Sequence, residues 1–311
     1  MTRPIAVLDL GSSSFHLLVG HVDSDGRVAA LLRMKRRALL GRRTRLSAAI
    51  AAGEFSRAIE SIGLLARTAH ALRPARLVTV ATSAVREAKN GRDFALAVER
   101  AHGIRVQVLD PVEEASLAYR GAWSSLCGPL GATAVIDLGG GSLELAVGDR
   151  DRIAWAGSLP LGALRLRNMF QPHKGSIGRE RARALFELVD LCATSSTSEM
   201  LRHRPERVVL ASGTARAVRD IVARISGSSR SAPLRLRQLL EAIDVLADAK
   251  PAALARCGIK RRRADTVAVA ATILAAVLRQ LAHQDILVTD AGLREGVLLR
   301  EASGAPDTRA A

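Results

Sequence analysis

Residues 9–20, DLGSSSFHLLVG, and residues 137–148, DLGGGSLELAVG, align without a gap and agree at seven of twelve positions. Asp9 matches Asp137, Leu10 Leu138, Gly11 Gly139, Ser14 Ser142, Leu17 Leu145, Val19 Val147 and Gly20 Gly148. One apolar strand, a Gly/Ser turn and a returning strand, written twice in one chain, dictate two related lobes, because each copy must bury its own apolar residues. The length of 311 residues, about twice a typical domain, agrees. A second correspondence follows each copy: ATSAVR, with Ala81 and Arg86, and ASGTAR, with Ala211 and Arg216.

Between these landmarks the apolar spacing predicts strands over 5–8, 15–22 and 28–34, a helix over 47–72, a strand at LVTVAT, a helix over 83–102, a strand at VQVLD and a helix from Pro111. Pro111 with Glu113 and Glu114 behind it suits a helix N-terminus, where the dipole favours acids. The second half repeats the order with strands at TAVIDLG, SLELAVG and IAWAGSLPLG, a helix over 178–203, the strand VVLAS and a helix over 214–225. An insertion over 226–263 holds the linker SGSSRSA and a helix over 234–249. A helix apolar on most faces, DTVAVAATILAAVLRQL, the strand ILVTD and the helix GLREGVLL close the chain. The expected division is a first lobe 1–125, a second lobe 126–302 carrying the helical insertion, and a flexible tail 303–311.

The longest apolar run, Val267 to Leu278, is too short to span a bilayer, and the N-terminus enters a strand at once without a signal-peptide pattern, so a cytoplasmic protein is expected. Cys127, Cys192 and Cys257 are odd in number and widely spaced, which excludes a disulfide framework or a thiolate metal site. The outlier is charge: 46 basic against 30 acidic residues give +16, and all but five of the bases are arginine. The excess is equal in both halves, +8 through residue 125 and +8 beyond it. Guanidinium suits phosphate, so a polyanionic substrate is one reading and a solvated basic surface the other. Arg33, Lys35, Arg36, Arg37, Arg42, Arg43 and Arg45 form one acid-free cluster, and Arg256, Lys260, Arg261, Arg262 and Arg263 another. Aromatics at 3%, without a helix-turn-helix or finger pattern, argue against nucleic acid.

A turn of Gly and Ser exposes successive backbone N–H groups, a nest for phosphate oxygens. Gly11, Ser12, Ser13 and Ser14 form one such turn and Gly139, Gly140, Gly141 and Ser142 the other; facing one another across a cleft, they could grip a phosphate chain from both sides. Asp9 and Asp137 close the strands before these turns, where a carboxylate can hold hydrated Mg2+. Glu144 stands two residues after Ser142, on the same strand face, where the first copy has His16. That divergence points to the second loop as the metal side.

The set AVLDLGSSSFHLLV, VATSAVREAKN, VLDPVEEASLAYRG, AVIDLGGGSLELAVG, SLPLGALRL, LASGTARAV and GLREGVLL resembles, in order and spacing, the exopolyphosphatase and guanosine pentaphosphate phosphohydrolase family, Ppx/GppA. The resemblance implies an α/β fold of two duplicated ribonuclease H-like lobes, of the actin and sugar-kinase type, with an interlobe cleft. It implies Mg2+-dependent, or Mn2+-dependent, hydrolysis of the terminal phosphoanhydride of inorganic polyphosphate. Guanosine pentaphosphate is the alternative substrate, a non-catalytic polyphosphate or alarmone sensor the alternative role, and a homodimer the candidate assembly. Glu114 matches the family's catalytic glutamate, which activates water; without the resemblance, Glu113 and Glu114 could equally be dipole partners. Arg86 matches the arginine of the family's TSAxRxAxN segment, which implies a catalytic guanidinium that stabilises charge on the transferring phosphoryl group; Asn90 completes the segment as a phosphate ligand, and Asp137, Ser142 and Glu144 match the family's metal and phosphate ligands. A kinase on the same fold is a weaker reading, since no sugar-binding constellation is present and the glutamate favours water as acceptor. Two departures stand out: Ser13 replaces the usual asparagine of DxGSNS, and RRALLGRRTRL replaces an acid-containing segment ahead of the first long helix.

Overall fold

In a computed structural model of the chain, residues 3–38, 40, 49–126, 131–150, 152–170 and 175–304 are described. They divide into two compact units, one of residues 1–126 with 291–311 and one of residues 127–290.

The first unit is built on a five-stranded sheet: β1 (Ile5–Leu10), β2 (Ser14–Val22), β3 (Val28–Arg37), β4 (Arg76–Ala81) and β5 (Val106–Val108), in the order β3-β2-β1-β4-β5. The first three strands meander antiparallel, and β4 and β5 run parallel to β1. Helices α1 (Ala52–Ala71), α2 (Ser83–Arg86), α3 (Gly91–His102) and α4 (Pro111–Ser124) fill the connections. Alternation along β1 sorts the core. Ala6, Leu8 and Leu10 join Ile62 and Leu65 of α1 and Phe94 and Val98 of α3, while Val7 faces the other way, with Leu18, Val80 and Leu117 of α4. Asp9 shares the alternation of Val7, on the face that α4 covers.

The second unit repeats this plan with β6 (Thr133–Leu138), β7 (Leu143–Asp149), β8 (Arg152–Leu159), β9 (Arg207–Ala211), β10 (Leu234–Arg235) and β11 (Asp285–Val288), ordered β10-β11-β9-β6-β7-β8. Its helices are α5 (Ala163–Phe170), α6 (Arg179–Arg202), α7 (Ser212–Ser226), α8 (Leu236–Asp248), α9 (Pro251–Arg256), α10 (Arg261–Ala264) and α11 (Val267–Leu281). Apart from the short edge strand β10, strand order and direction match the first sheet: two ribonuclease H-like lobes. α11 is buried along nearly its whole length, between α6, α7 and α8, which explains its lack of a polar face.

The duplication extends to irregularities. The β2–β3 ladder bulges between Val19 and Gly20 and the β7–β8 ladder between Val147 and Gly148. In each case a Cβ on the glycine would collide with a carbonyl of the partner strand, Ala29 O or Arg152 O, so the shared glycine is what lets the strands close at the bulge. A repeat not anticipated from the sequence joins α1 to β4 and α6 to β9. Arg73 and Arg204, each followed by proline, take left-handed φ of 47° and 46°, and Ala75 and Glu206 then donate to Pro4 O and Ala132 O at the same 2.7 Å.

Four expectations change. The last helix, α12 (Leu293–Ala302), was assigned to the second lobe but belongs to the first unit. Val297 and Leu298 complete the apolar cluster of Val7, Leu18, Val80 and Leu117, and buried Glu295 pairs with Arg33. The helix expected over 83–102 is broken into α2 and α3, because Asn90 anchors the chain between them to Ile50. The helix expected over 47–72 begins at Ala52, with 47 and 48 outside the described residues. The insertion holds β10, α8, α9 and α10 where a single helix was read. Arg42, Arg43, Arg45, Cys127, the side chains of Arg261 and Arg262, and residues 305–311 of the expected tail also lie outside the described residues. Arg33, Lys35, Arg36 and Arg37 fall on the edge strand β3, where charge blunts unwanted strand pairing. Among the described residues no helix is long and apolar enough to cross a membrane.

Candidate active site

Glu114 owes its place to the cap of α4. Asp110 is the N-cap and accepts from Glu113 N at 2.8 Å, Pro111 opens the helix, and Glu114 N closes on Asp110 O at 2.9 Å. The two glutamates then part. The Glu113 carboxylate receives Gln107 Nε2 at 2.9 Å and Arg300 Nη1 at 2.8 Å, all within the frame of the unit. The Glu114 carboxylate, 6% exposed, takes Arg86 Nη1 on Oε2 at 2.7 Å. The same nitrogen donates to Leu109 O at 2.8 Å, so Arg86 is itself tied to the strand end ahead of α4. Burying a charge without a partner is costly, and Arg86 supplies the partner.

The first loop is coupled to this pair. Ser12 and Ser14 are buried and Ser13 is exposed. Ser12 Oγ lies 3.2 Å from Ser83 Oγ, the first residue of the short helix that ends in Arg86. Gly11 approaches Ser14 O, and Ser13 Oγ contacts Ser14 Oγ at 3.4 Å. In register, Asp9 stands opposite His16, and His16 opposite Lys35. Arg294 Nη1 lies 3.2 Å from His16 Nδ1; a guanidinium can only donate, so that ring nitrogen is the acceptor.

Asn90 makes a backbone clamp: its Oδ1 accepts from Ile50 N at 2.8 Å and one proton of its Nδ2 goes to Ile50 O at 3.0 Å.

In the second unit the equivalent row is acidic. Asp137 and Glu144 are cross-strand partners, and Glu144 stands opposite Ser158, whose hydroxyl donates to Glu144 Oε1 at 3.0 Å. Directly opposed residues of an antiparallel pair carry Cβ atoms about 5 Å apart, so two carboxylates converge at the loop. The donor set is all oxygen, as Mg2+ requires. No third acid, histidine or cysteine completes a cluster among the described residues, and Mg2+ characteristically keeps waters and takes substrate phosphate oxygens.

The loop itself is held by its carbonyls. Ala163 N donates to Gly139 O at 3.0 Å, Leu164 N to Gly140 O at 2.9 Å, and Arg165 Nε to Gly141 O at 2.8 Å. The N-terminus of α5 thus grips the acceptor side of three successive peptides. Gly162 presses on the same loop so closely that a Cβ there would overlap the backbone of Gly141 and Ser142. Sequence reasoning quoted SLPLGALRL but gave it no role; the glycine between a proline and a helix start was the available signal. It also passed over Ser83 and Ser158, which become visible only in register with Ser12 and Glu144. Beyond the second loop, Ser212 takes a left-handed φ of 83°, and Arg216 pairs with exposed Asp290, so the second lobe has no counterpart to the Arg86–Glu114 contact at that arginine.

The sequence profile of the Ppx/GppA phosphatase family matches residues 19–304. Among named proteins, the chain is 31% identical to "Exopolyphosphatase 1" of Mycobacterium leprae over 97% of its own length and 91% of that protein, and 30% identical to that of Mycobacterium tuberculosis over 97% and 89%. Among solved structures it resembles an exopolyphosphatase from Cytophaga hutchinsonii, with a TM-score of 0.86, 23% identity and coverage of 98% and 99% of the two chains. It also resembles the Aquifex aeolicus Ppx/GppA family member, with a TM-score of 0.81, 24% identity and the same coverage. With these matches spanning both lobes, the chain belongs to the Ppx/GppA phosphatase family.

Proposed function

We propose that the protein is an exopolyphosphatase, a phosphoanhydride hydrolase that releases orthophosphate from the end of inorganic polyphosphate. The observation that carries the reading is the buried Glu114 carboxylate held by Arg86 at 2.7 Å on the first lobe, in a chain 31% identical to a named exopolyphosphatase. Glu114 takes a proton from the attacking water as its oxygen bonds to the terminal phosphorus; the bridging P–O bond breaks, and the shortened chain leaves with that oxygen. Arg86 holds the carboxylate in place and adds positive charge for the phosphoryl oxygens. The two Gly/Ser loops supply backbone N–H groups to phosphate. Asp137 and Glu144 would hold Mg2+, which when bound neutralises phosphate charge and favours the leaving chain.

General-base assistance contributes roughly 10²- to 10⁴-fold in rate, so Glu114→Gln is expected to lower kcat by that factor while the protein melts as a folded chain. The assay is orthophosphate release, with Mg2+ and with EDTA, from short polyphosphate, long polyphosphate and guanosine pentaphosphate in parallel. Glu114→Gln turning over at the wild-type rate on all three would remove the assignment. The exposed Ser13, shorter than the family's asparagine, keeps guanosine pentaphosphate as the second substrate in that comparison, and binding without phosphate release would identify a sensor instead.

A further inference from the structure

The first unit carries a second ion-pair network one helical step from the Arg86–Glu114 pair, and the reaction as described makes no use of it. Arg300, near the end of α12 and 187 residues from Glu113 in sequence, donates Nη1 to Glu113 Oε1 at 2.8 Å and Nη2 to Gln107 Oε1 at 3.0 Å. Gln107 Nε2 donates to the same Glu113 oxygen at 2.9 Å, which closes a three-membered ring of side chains from β5, α4 and α12. Arg300 and Glu113 side chains are only 14% and 11% exposed. Beneath this ring α4 and α12 touch backbone to backbone: a Cβ at Gly121 would overlap Gly292 O, and one at Gly296 would overlap Leu117 O.

We propose that Arg300 is a positioning residue for the hydrolysis, acting through Glu113 to set the rotation of α4 and hence the aim of Glu114. The inference rests on the reading of Glu114 as the base. Adjacent helical residues project about 100° apart, so a fixed Glu113 sets the direction in which the Glu114 side chain leaves the helix. A helix released from that constraint need turn by only about 10° to move a carboxylate some 6 Å from its axis by about 1 Å. A displacement of that size costs on the order of 10²-fold in rate. Capping alone does not supply the constraint: Asp110 satisfies a backbone N–H, whereas Glu113 is held by its side chain.

The test is steady-state hydrolysis of polyphosphate with Mg2+ by wild type, Arg300→Met, Arg300→Lys, Glu113→Gln, the double variant Glu113→Gln/Arg300→Met, and Glu114→Gln, each with a thermal melt. Arg237→Ala, which removes the exposed Arg237–Glu241 pair on α8 of the second unit, is the control and should keep the wild-type rate. Arg300→Met should lower kcat by about 10- to 100-fold with KM changed less than about threefold. Arg300→Lys, which keeps the charge but cannot bridge both partners, should recover part of it. The double variant should be no slower than the worse single variant, because one path carries both effects. Should Arg300→Met fail to fold, Glu113→Gln and Arg300→Lys carry the same kcat test. A folded Arg300→Met at wild-type kcat beside an inactive Glu114→Gln overturns the role of Arg300, as does a loss confined to KM or an additive double variant. Wild-type turnover by Glu114→Gln overturns the parent reading instead.

Discussion

Gly162→Ala tests whether the second loop is part of the active site. Gly162 has an ordinary partner for its N–H, Gly141 O at 3.3 Å, and an added methyl group would meet backbone alone: Gly141 C and N, and Ser142 N. Ordinary van der Waals contact begins near 3.4 Å, so the loop would have to retreat by about 1 Å. No flexible side chain stands in the way to absorb the shift. The grip of Ala163, Leu164 and Arg165 on the three loop carbonyls resists the movement, and overpacking of this kind costs about 1–3 kcal/mol. On the proposed role of the loop, displacing its peptides by about 1 Å should lower kcat/KM for polyphosphate by on the order of 10²-fold. The assay is orthophosphate release across a Mg2+ titration, with a melt alongside to establish that the variant is folded. Gly53→Ala is the matched control, since a Cβ there meets only the tip of Arg57 and alanine favours a helix. A folded Gly162→Ala protein with wild-type kcat/KM would show that the second loop takes no part in turnover.

Two further outcomes follow from the packing. Gly296→Ala places its methyl against Leu117 O and should force α12 off α4, costing about 1–3 kcal/mol net of the helix propensity gained; a melt lowered by several degrees is the readout. On α6, the Asp190 carboxyl is held below its usual value first by Gln280, whose Nε2 donates to Oδ1 at 2.8 Å, and then by Arg279, against the opposing effect of burial. A depressed carboxyl contributes stability above its unfolded value, near 3.8, and loses it as pH falls through the folded one. The difference in melting temperature between wild type and Asp190→Asn should therefore be constant above about pH 5 and close below it.

How far the sequence could be read depended on the range of the interaction involved. The doubled DLG hairpins, the strands that follow them and the all-apolar α11 were legible because alternation and helical period are local properties of the chain. The boundary at α12 was not. Leu293 to Ala302 follows the last strand of the second sheet directly, and long-range contacts return it to the first unit, among them Val297 in the cluster of Val7, Glu295 with Arg33 and Arg300 with Glu113. Asn90 shows the same limit: a polar residue after a short helix reads equally as a ligand or as a clamp, and its partner, Ile50, is forty positions away. Glu113 and Glu114 could not be told apart by spacing. Gln107 and Arg300 on one, and Arg86 on the other, separate them.

The two lobes show how one scaffold divides its labour. Their hairpins are equivalent down to the bulge glycines, yet the cross-strand row behind each loop has taken opposite charge: Asp9, His16 and Lys35 with Arg294 beside them, against Asp137, Glu144 and Ser158. Divergence at His16 and Glu144, and again at Lys35 and Ser158, makes one row acidic and the other basic, while both sheets keep the same strand order and the same bulge. Glu114, buried against Arg86, stands on the lobe with the basic row, and the guanidinium is its hydrogen-bonded counter-charge.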